Sequence, residues 1–197
     1  LTRAAHDRIG VRKVVFAFSD DLLTTVVRMK WWGDWRDELR DVFASLGVDP
    51  ATVVRCMLAR LPPKTHIGIH HDTGRWATLS HRVHVPVLTD PAKVVFRSGP
   101  GGGRPLRRFA FAQDQAFELN NRAKHQVYNG WDRDRVHLIF DWVPSPAVLR
   151  TVRVLQLAPG EGVVLTRRAF RGVRGRGGDD DDDVPAVPDD QPVSPAQ

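Results

Sequence analysis

The chain has 197 residues and a hydrophobic fraction of 42%, enough for one globular domain with a sizeable core and a tail. No apolar run approaches the roughly 20 residues of a membrane-spanning helix, so we expect no membrane partner. The net charge is +6 with a pI near 10.2, which suits an anionic small molecule as well as nucleic acid. Because no aromatic-basic alternation is present and the Arg-Gly segment runs directly into acid, we expect no nucleic-acid partner.

The single cysteine excludes an internal disulfide and fits a reducing compartment, so a cytoplasmic location is expected. Cys56 lies in the apolar run VVRCMLARL, which is typical of a small buried core residue rather than of a nucleophile. No signal-peptide pattern opens the chain, but it begins with Leu1 and not with Met, which leaves the compartment open.

The first predicted elements are a strand and a helix. VRKVVFAFSD (11–20) is typical of a strand. GDWRDELRDVFASLG (33–47) predicts a helix, because apolar residues recur at spacings of three and four. Asp34 is its predicted N-cap and Gly47 its predicted stop.

The next stretch, residues 51–143, is rich in short strands separated by loops. The predicted strands are ATVVRCMLARL, HRVHVPVLT, AKVVFRS, RRFAFAQDQAFELNN, AKHQVYN and RVHLIFDWV. The glycine-rich SGPGGGRP (98–105) predicts a hairpin turn, since no Lys-Ser/Thr follows the glycines as it would in a P-loop. Many short strands in about a hundred residues favour a β-sandwich or a small barrel.

Beyond these strands the pattern fades. SPAVLRTVRVLQL predicts one more helix or strand, and the last segment, 171–197, is low in complexity. That segment cannot bury enough apolar surface to fold alone, so we expect a disordered tail with a solvated run of aspartates. The predicted organisation is one domain over residues 1–150 with its motifs in 55–143, an extension over 151–170, and the tail.

Histidines crowd the stretch THIGIHHDTG (65–74). Side chains at positions i and i+2 of a strand point the same way, so the His70 imidazole and the Asp72 carboxylate can face one metal ion. A triad through His71 would fail, because Asp72 would then point to the opposite face. His66 either lines the pocket or, more commonly for such a residue, lies on a surface loop.

A third ligand is expected from a distant strand, and RAKHQVYNG supplies His125. Two histidines and one carboxylate form the facial triad typical of non-haem Fe(II) oxygenases, which leaves three positions open. Zinc would accept the same ligands but usually prefers a tetrahedral site. We therefore predict His70, Asp72 and His125 as metal ligands and as the catalytic centre.

Other polar residues lie on predicted strands. Arg135 opens the apolar RVHLIFDWV, where a lone guanidinium needs a partner, and a ligand carboxylate held by two hydrogen bonds would serve. Arg82 and His84 share one face of SHRVHVPV. His137 shares the face of Arg135 and is interpreted as a hydrogen-bonded core histidine in preference to a supporting residue of the site. Trp76, close to the histidine motif, is a candidate wall of the substrate pocket, whereas three tryptophans are predicted to pack beneath the sheets, namely Trp31, Trp32 and Trp35.

Three segments together resemble a known family in their order and spacing: LPPKTHIGIHHDTG, SHRVHVPVLTDP and FELNNRAKHQVYNGWDRDRVHLIFDWV. They resemble the aspartyl/asparaginyl β-hydroxylases and the related bacterial proline hydroxylases. The resemblance implies a mainly β fold, the double-stranded β-helix (a cupin-like jelly roll), with a flanking N-terminal helix. It also implies Fe(II) as cofactor and 2-oxoglutarate as cosubstrate.

The family's roles can be carried over residue by residue. His70 and His125 resemble the family's metal histidines, and Asp72 resembles the carboxylate ligand of the proline-hydroxylase branch. Asn120 and Asn121 match a turn that we take as structural. The residues that the resemblance assigns to 2-oxoglutarate, the first of them to its far carboxylate, are Arg135, Arg82 and His84.

The resemblance implies an oxidoreductase that couples decarboxylation of 2-oxoglutarate to hydroxylation of a C–H bond by O2. The expected substrate is a free amino acid such as proline, or an Asp, Asn or Pro residue of a protein. The resemblance of Asp72 to a carboxylate ligand favours the branch that acts on proline or other small amino acids. The alternative is a metal-binding, cupin-like jelly roll without oxygenase activity. Arg135 separates the two, because a metal store needs no anchor for a keto acid.

Overall fold

The computed structural model describes residues 6, 8–100, 104–158 and 161. Within these residues the chain is mainly β, with short helices before and between the strands. The strands are β1 (Arg12–Ser19), β2 (Thr25–Arg28), β3 (Val53–Leu61), β4 (Thr65–His70), β5 (His81–Leu88), β6 (Val94–Gly99), β7 (Arg107–Phe109), β8 (Phe117–Leu119), β9 (Lys124–Asn129), β10 (Arg135–Trp142) and β11 (Arg153–Gln156). The helices are α1 (Trp32–Glu38), α2 (Arg40–Ser45) and α3 (Arg75–Leu79), with 3₁₀ turns at Pro50–Thr52 and Pro146–Thr151.

The strands form two sheets. The larger sheet has seven strands in the order β11-β2-β1-β3-β10-β5-β8, and the smaller has four in the order β4-β9-β6-β7. Neighbours are antiparallel except for β11, which runs parallel to β2. The predicted jelly roll is confirmed.

The larger sheet buries one face against the helices. In β10 the side chains alternate, so Leu138 and Phe140 point to this outer face. They join an apolar cluster with Phe16 of β1, Cys56 of β3 and Phe43 of α2, each of them fully buried. Fully burying one such side chain contributes about 1.5–3 kcal/mol, so this cluster is a main source of stability. The prediction that Cys56 is a core residue is confirmed.

A second apolar cluster lies on the other face of the larger sheet. It joins Leu61 of β3 to Val94 and Phe96 of β6 and to Val127 of β9. It brings the two sheets together and is smaller than the outer cluster. Leu119 of β8 and Ile139 of β10 also lie on this inner face, beside its charged and polar residues.

The predicted helix is found, but with different limits. It begins at Trp32 with Trp31 as N-cap and without a side-chain cap, so the prediction of Asp34 as N-cap is wrong. It is interrupted at Leu39, whose φ of -90° and ψ of 7° leave helical geometry, and the chain continues as α2. Gly47 ends this region in the left-handed conformation, with a φ of +65° that suits glycine.

Most strands lie where the sequence predicts them. SPAVLRTVRVLQL holds both a 3₁₀ turn and the short strand β11. The hairpin at 98–105 connects β6 and β7, although 101–103 are outside the described residues. The predicted disordered tail, 171–197, and most of the extension also lie outside them. No helix of the described part is long and apolar enough to cross a membrane.

Candidate active site

The inner face of the larger sheet carries a row of charges. The alternation in RVHLIFDW directs Arg135, His137 and Asp141 of β10 inward, opposite to the apolar outer side chains. In register, Asp141 lies between Arg55 of β3 and Arg82 of β5. Ile139 lies on the same face, and Leu61, the register partner of Arg135, belongs to the apolar cluster between the sheets. This face therefore combines core packing with buried charged and polar groups.

Two of the predicted ligands meet across the smaller sheet. His70 at the end of β4 is the direct cross-strand partner of His125 on β9, and the two ring centroids are 4.2 Å apart. The Nδ1 atom of His70 is 2.8 Å from the carbonyl oxygen of Gly68, and that of His125 is 2.8 Å from the carbonyl oxygen of Ala123. A carbonyl only accepts, so each Nδ1 carries the proton and each Nε2 keeps its lone pair. This is the usual state of a metal-binding imidazole.

The electrostatic environment keeps His125 neutral. Burial lowers the pKa of the His125 imidazole. The hydrogen bond to the Ala123 carbonyl raises this pKa, but by less than burial lowers it. His71 is exposed, and it is the neighbouring His70 that faces His125. His66 is half-buried on β4, 3.3 Å from the Gln126 side chain, and is not a free loop residue.

Asp72 is buried at the first turn after β4. Its backbone N–H donates to the carbonyl oxygen of Asn121 at 2.8 Å, and its Oδ2 accepts from the Asn121 amide at 3.4 Å. Oδ2 also accepts from the guanidinium of Arg82. Asn121 belongs to the turn in which the Arg122 N–H donates to the Asn120 side chain, which agrees with the structural role expected for this pair.

Arg82 is shared between two carboxylates. Its Nε and a terminal nitrogen donate to the two oxygens of Asp141 at 2.8 and 2.9 Å, while the other terminal nitrogen donates to Asp72. Burial alone would lower the pKa of the Arg82 guanidinium, but Asp141 and Asp72 together raise it above its usual value. Every nitrogen of Arg82 therefore has a carboxylate partner, and its predicted contact with 2-oxoglutarate is not part of this arrangement.

Arg135 is a buried cation with no carboxylate partner among the described residues. One terminal nitrogen is 2.7 Å from His137 Nδ1, and its Nε has no hydrogen-bond partner. Burial lowers the pKa of Arg135 to about 9. Since a guanidinium only donates, His137 Nδ1 is the acceptor, and the neutral ring carries its proton on Nε2, which is also buried without a partner.

The surroundings of Arg135 and His137 form a small pocket between the sheets. Its apolar wall is formed by Phe96 of β6, Phe109 of β7 and Phe111. A buried cation that faces an apolar wall without an anion is costly, and a ligand carboxylate would relieve that cost.

His84 adds a second polar group to this interior. Its ring stacks on Phe117 at 5.1 Å and meets His137 edge-on at 5.7 Å. Both ring nitrogens are buried without a hydrogen-bond partner. Burial, and then the charge of Arg135, lower the pKa of His84 well below its usual range, so the ring is neutral. The structure thus places His84 against His137 and within electrostatic reach of both Arg135 and His125.

The residues present fit the expected ligands. In the described part of the chain, no three acidic, thiol or imidazole side chains already converge as a metal cluster, because the Asp72 carboxylate contacts Arg82. The His70 and His125 lone pairs and the nearby Asp72 nonetheless form the donor set that suits Fe(II). The unpartnered Arg135 Nε and His137 Nε2 suit the carboxylate of a keto acid.

Sequence reasoning made one error near the site and missed two residues. Trp76 is 1% exposed and packs under the guanidinium groups of Arg55 and Arg82, 3.6 and 4.8 Å from its ring centroid, so it cannot be a pocket wall. Arg55 and Asp141 were not singled out, although the two-residue period of β10 already placed Asp141 on the face of Arg135. The predicted tryptophan packing is confirmed for Trp32, which is 2% exposed.

Comparisons with known proteins identify a family for this chain. A family model described as aspartyl/asparaginyl beta-hydroxylase matches residues 39–144, more than half of the chain. The comparison of this chain with curated proteins found no match.

The chain is also similar to solved structures. One is an oxidoreductase of the 2OG-Fe(II) oxygenase family from Burkholderia pseudomallei, at 18% identity and a TM-score of 0.50, covering 68% of this chain and 66% of that chain, just under two thirds. Another is a cupin domain from Bordetella pertussis Tohama I, at 18% identity and a TM-score of 0.34, covering 46% and 81%. At this level of identity, the likeness to the Burkholderia structure shows the fold alone.

Proposed function

The chain belongs to the aspartyl/asparaginyl β-hydroxylase family, and from this premise we propose that it is an Fe(II)- and 2-oxoglutarate-dependent hydroxylase of an amino acid or an amino-acid side chain. The observation that carries the proposal is the buried Arg135, which lacks a carboxylate partner in the described structure and lies in the same interior as the His70–His125 pair. A protein that only stored metal would gain nothing from this buried charge.

Three side chains would hold the metal, namely His70, His125 and Asp72. Fe(II), when bound, supplies the redox chemistry that couples decarboxylation of 2-oxoglutarate and reduction of O2 to hydroxylation of the substrate. The backbone carbonyls at Gly68 and Ala123 fix both imidazoles in the tautomer that offers Nε2.

Arg82 supports the third ligand in this proposal. Asp141 holds its guanidinium with two hydrogen bonds, and the guanidinium in turn holds Asp72. Arg55 lies on the other side of Asp141 as its register partner, and its own ion pair is with Asp21 at 3.4 Å. This arrangement keeps Asp72 ionised and oriented, which a carboxylate ligand requires.

Arg135 and His137 would orient the cosubstrate. The Arg135 Nε–H and the His137 Nε2–H are two buried donors that can bind the far carboxylate of 2-oxoglutarate. The phenylalanine wall lowers the local polarity around these donors, which strengthens the charge-assisted bonds. His84 lies between this end and the metal ligands and offers a neutral ring to the cosubstrate.

The test compares neighbouring histidines. The protein is loaded with Fe(II) without oxygen, then given O2 and 2-oxoglutarate, and succinate is measured with and without free proline and Asp or Asn peptides. We expect succinate from the wild type, a loss of at least about 100-fold in His70→Ala, and less than a twofold change in His71→Ala. Arg135→Gln should raise the KM for 2-oxoglutarate.

Two results would contradict the proposal. Equal activity of His70→Ala and His71→Ala would remove the predicted ligand. A wild type that binds Fe(II) but consumes no 2-oxoglutarate with any of these substrates would favour the alternative, a metal-binding jelly roll without oxygenase activity.

A further inference from the structure

A straight row of side chains crosses the smaller sheet at the level of the two metal-type histidines. His70 on β4 is paired in register with His125 on β9, His125 with Ser98 on β6, and Ser98 with Arg107 on β7. Residues paired directly across a sheet share one face, so all four point to the side where the imidazoles meet. The row places a hydroxyl and a guanidinium beside the proposed metal ligands.

The next residue along the same strand points the other way. Arg108 is paired with Arg97 on the outer face of the sheet and donates to the carbonyl oxygen of Ala92 at 3.1 Å. Phe109, two residues after Arg107, lines the pocket that holds Arg135, which confirms the inward side of β7. Of the two adjacent arginines, only Arg107 lies on the face of the site.

The smaller sheet contains no acid that could neutralise Arg107. Its four strands read THIGIH, KHQVYN, VVFRSG and RRF, without a single Asp or Glu. Among the described residues no carboxylate pairs with Arg107, and the nearby Asp72 is bound by Arg82. Arg107 is exposed on the face of the histidine pair, and a cation without a counter-ion among the described residues attracts anionic ligands.

The spacing suits a substrate that bridges this cation and the metal ligands. Neighbouring strands are about 4.8 Å apart, so the Arg107 backbone lies roughly 10 Å from that of His125, with Ser98 between them. We propose that Arg107, assisted by the Ser98 hydroxyl, binds a carboxylate of the substrate. The enzyme then selects a small molecule with an acid group, such as a free amino acid, and its reacting carbon lies over the histidine pair.

This inference rests on the proposed function and deepens it. The test uses the Fe(II)-loaded full chain and measures how far each standard L-amino acid, and each corresponding C-terminal amide, raises succinate formation above the rate without substrate. Aspartate and glutamate amides keep a carboxylate and count as acids. The matched variants are Arg107→Gln and Arg108→Gln, which remove the same charge from opposite faces of one strand.

We expect acids, and not neutral amides, to raise succinate formation in the wild type. Arg107→Gln should raise the KM for the stimulating acid about 10- to 100-fold, as expected for loss of a charge-assisted hydrogen bond. Arg108→Gln should leave the KM within twofold. Equal stimulation by acids and amides, no stimulation by any compound, or equal KM changes in both variants would overturn the inference.

Failure of the proposed function is distinguishable from failure of this inference. If the wild type forms no succinate even without added substrate, the hydroxylase proposal fails. The same amino acids and amides are then tested for binding to the full chain by saturation-transfer NMR. Binding of acids that is lost in Arg107→Gln and kept in Arg108→Gln supports the inference, and any other result overturns it.

Discussion

The two faces of the larger sheet are built on opposite principles. The outer face buries Phe140, Leu138 and Cys56 against the helices in a dry apolar cluster. The inner face, from the same three central strands, holds Arg82, Asp141 and other charged or polar groups. A single two-residue alternation along each strand separates them.

The outer face contributes to the stability of the fold, whereas the inner face lowers it. On the outer face, burial of apolar surface is favourable by itself. On the inner face, buried nitrogens of Arg135, His137 and His84 lack hydrogen-bond partners, which is costly until a ligand supplies them.

The outer face should be the most sensitive to truncation. Phe140 is completely buried, and Phe140→Ala should lower the free energy of unfolding by about 3–5 kcal/mol through lost burial and a cavity. Urea unfolding measures this effect. Val14→Ala, at a position 49% exposed on β1, is the control and should change little. A similar small loss for both would mean that the outer cluster does not hold the fold.

The ion network of the inner face should depend on its central carboxylate. Asp141→Asn leaves Arg55 and Arg82 buried without full compensation, so the free energy of unfolding should fall by roughly 3 kcal/mol. Asp134→Asn is the control, since Asp134 pairs with Arg60 at the surface, where solvent screens the charges. If urea unfolding finds no larger loss for Asp141 than for Asp134, the network contributes no stability.

Removing the unpartnered cation of Arg135 should raise the free energy of unfolding instead of lowering it. Arg135→Met replaces a buried charge with an apolar side chain of similar length, so the free energy of unfolding should rise by about 1 kcal/mol while 2-oxoglutarate binding is lost. Urea unfolding and calorimetric titration measure the two changes. Arg153→Met, at an exposed position of β11, should alter neither. A destabilised Arg135→Met variant would show that the guanidinium has a partner in the free protein.

The inner histidines should make stability depend on pH. Burial first, and then Arg135 and His84, lower the pKa of His137 well below its usual value of 6.5. Below about pH 6.5 the unfolded chain therefore binds more protons than the folded one, and the free energy of unfolding falls as the pH decreases, by up to about 1.4 kcal/mol per pH unit for each such histidine.

A variant at His137 identifies the source of this slope. His137→Gln should flatten the dependence of urea unfolding on pH between about 6.5 and 5, because it removes a buried imidazole whose pKa is lowered. Parallel curves for His137→Gln and the wild type would show that His137 is not responsible.

Much of the fold followed from local patterns. The strands from β3 to β10 have apolar and β-branched segments bounded by turn residues, and these signals are local. β2 was missed because its four residues are too few to show a period. The break at Leu39 was also missed, since the apolar spacing runs through both helices without interruption.

The site was predictable from the sequence only in part. A register shift between Ile67 and His70 brings His70 opposite His125, whereas strict alternation from Ile67 would have selected His71. β4 ends at His70, so His71 and Asp72 lie in the turn after it, and the roles of these residues remain predictions. The bond between Arg82 and Asp141 depends on the register of two strands whose residues are 59 positions apart. The prediction that Trp76 forms a pocket wall was wrong for a similar reason. Trp76 is close to the histidine motif in sequence, but this does not show that Arg55 and Arg82 cover its ring.

The position of β4 at the edge of its sheet has a consequence for local opening. Within the described part of the chain, β9 is the one strand that pairs with β4. Edge strands exchange their amide hydrogens more readily than central ones. His70 therefore lies on a strand that opens easily, and His125 on one held from both sides. A ligand bound by both imidazoles would hold β4 to β9 and slow the hydrogen exchange of the β4 amides.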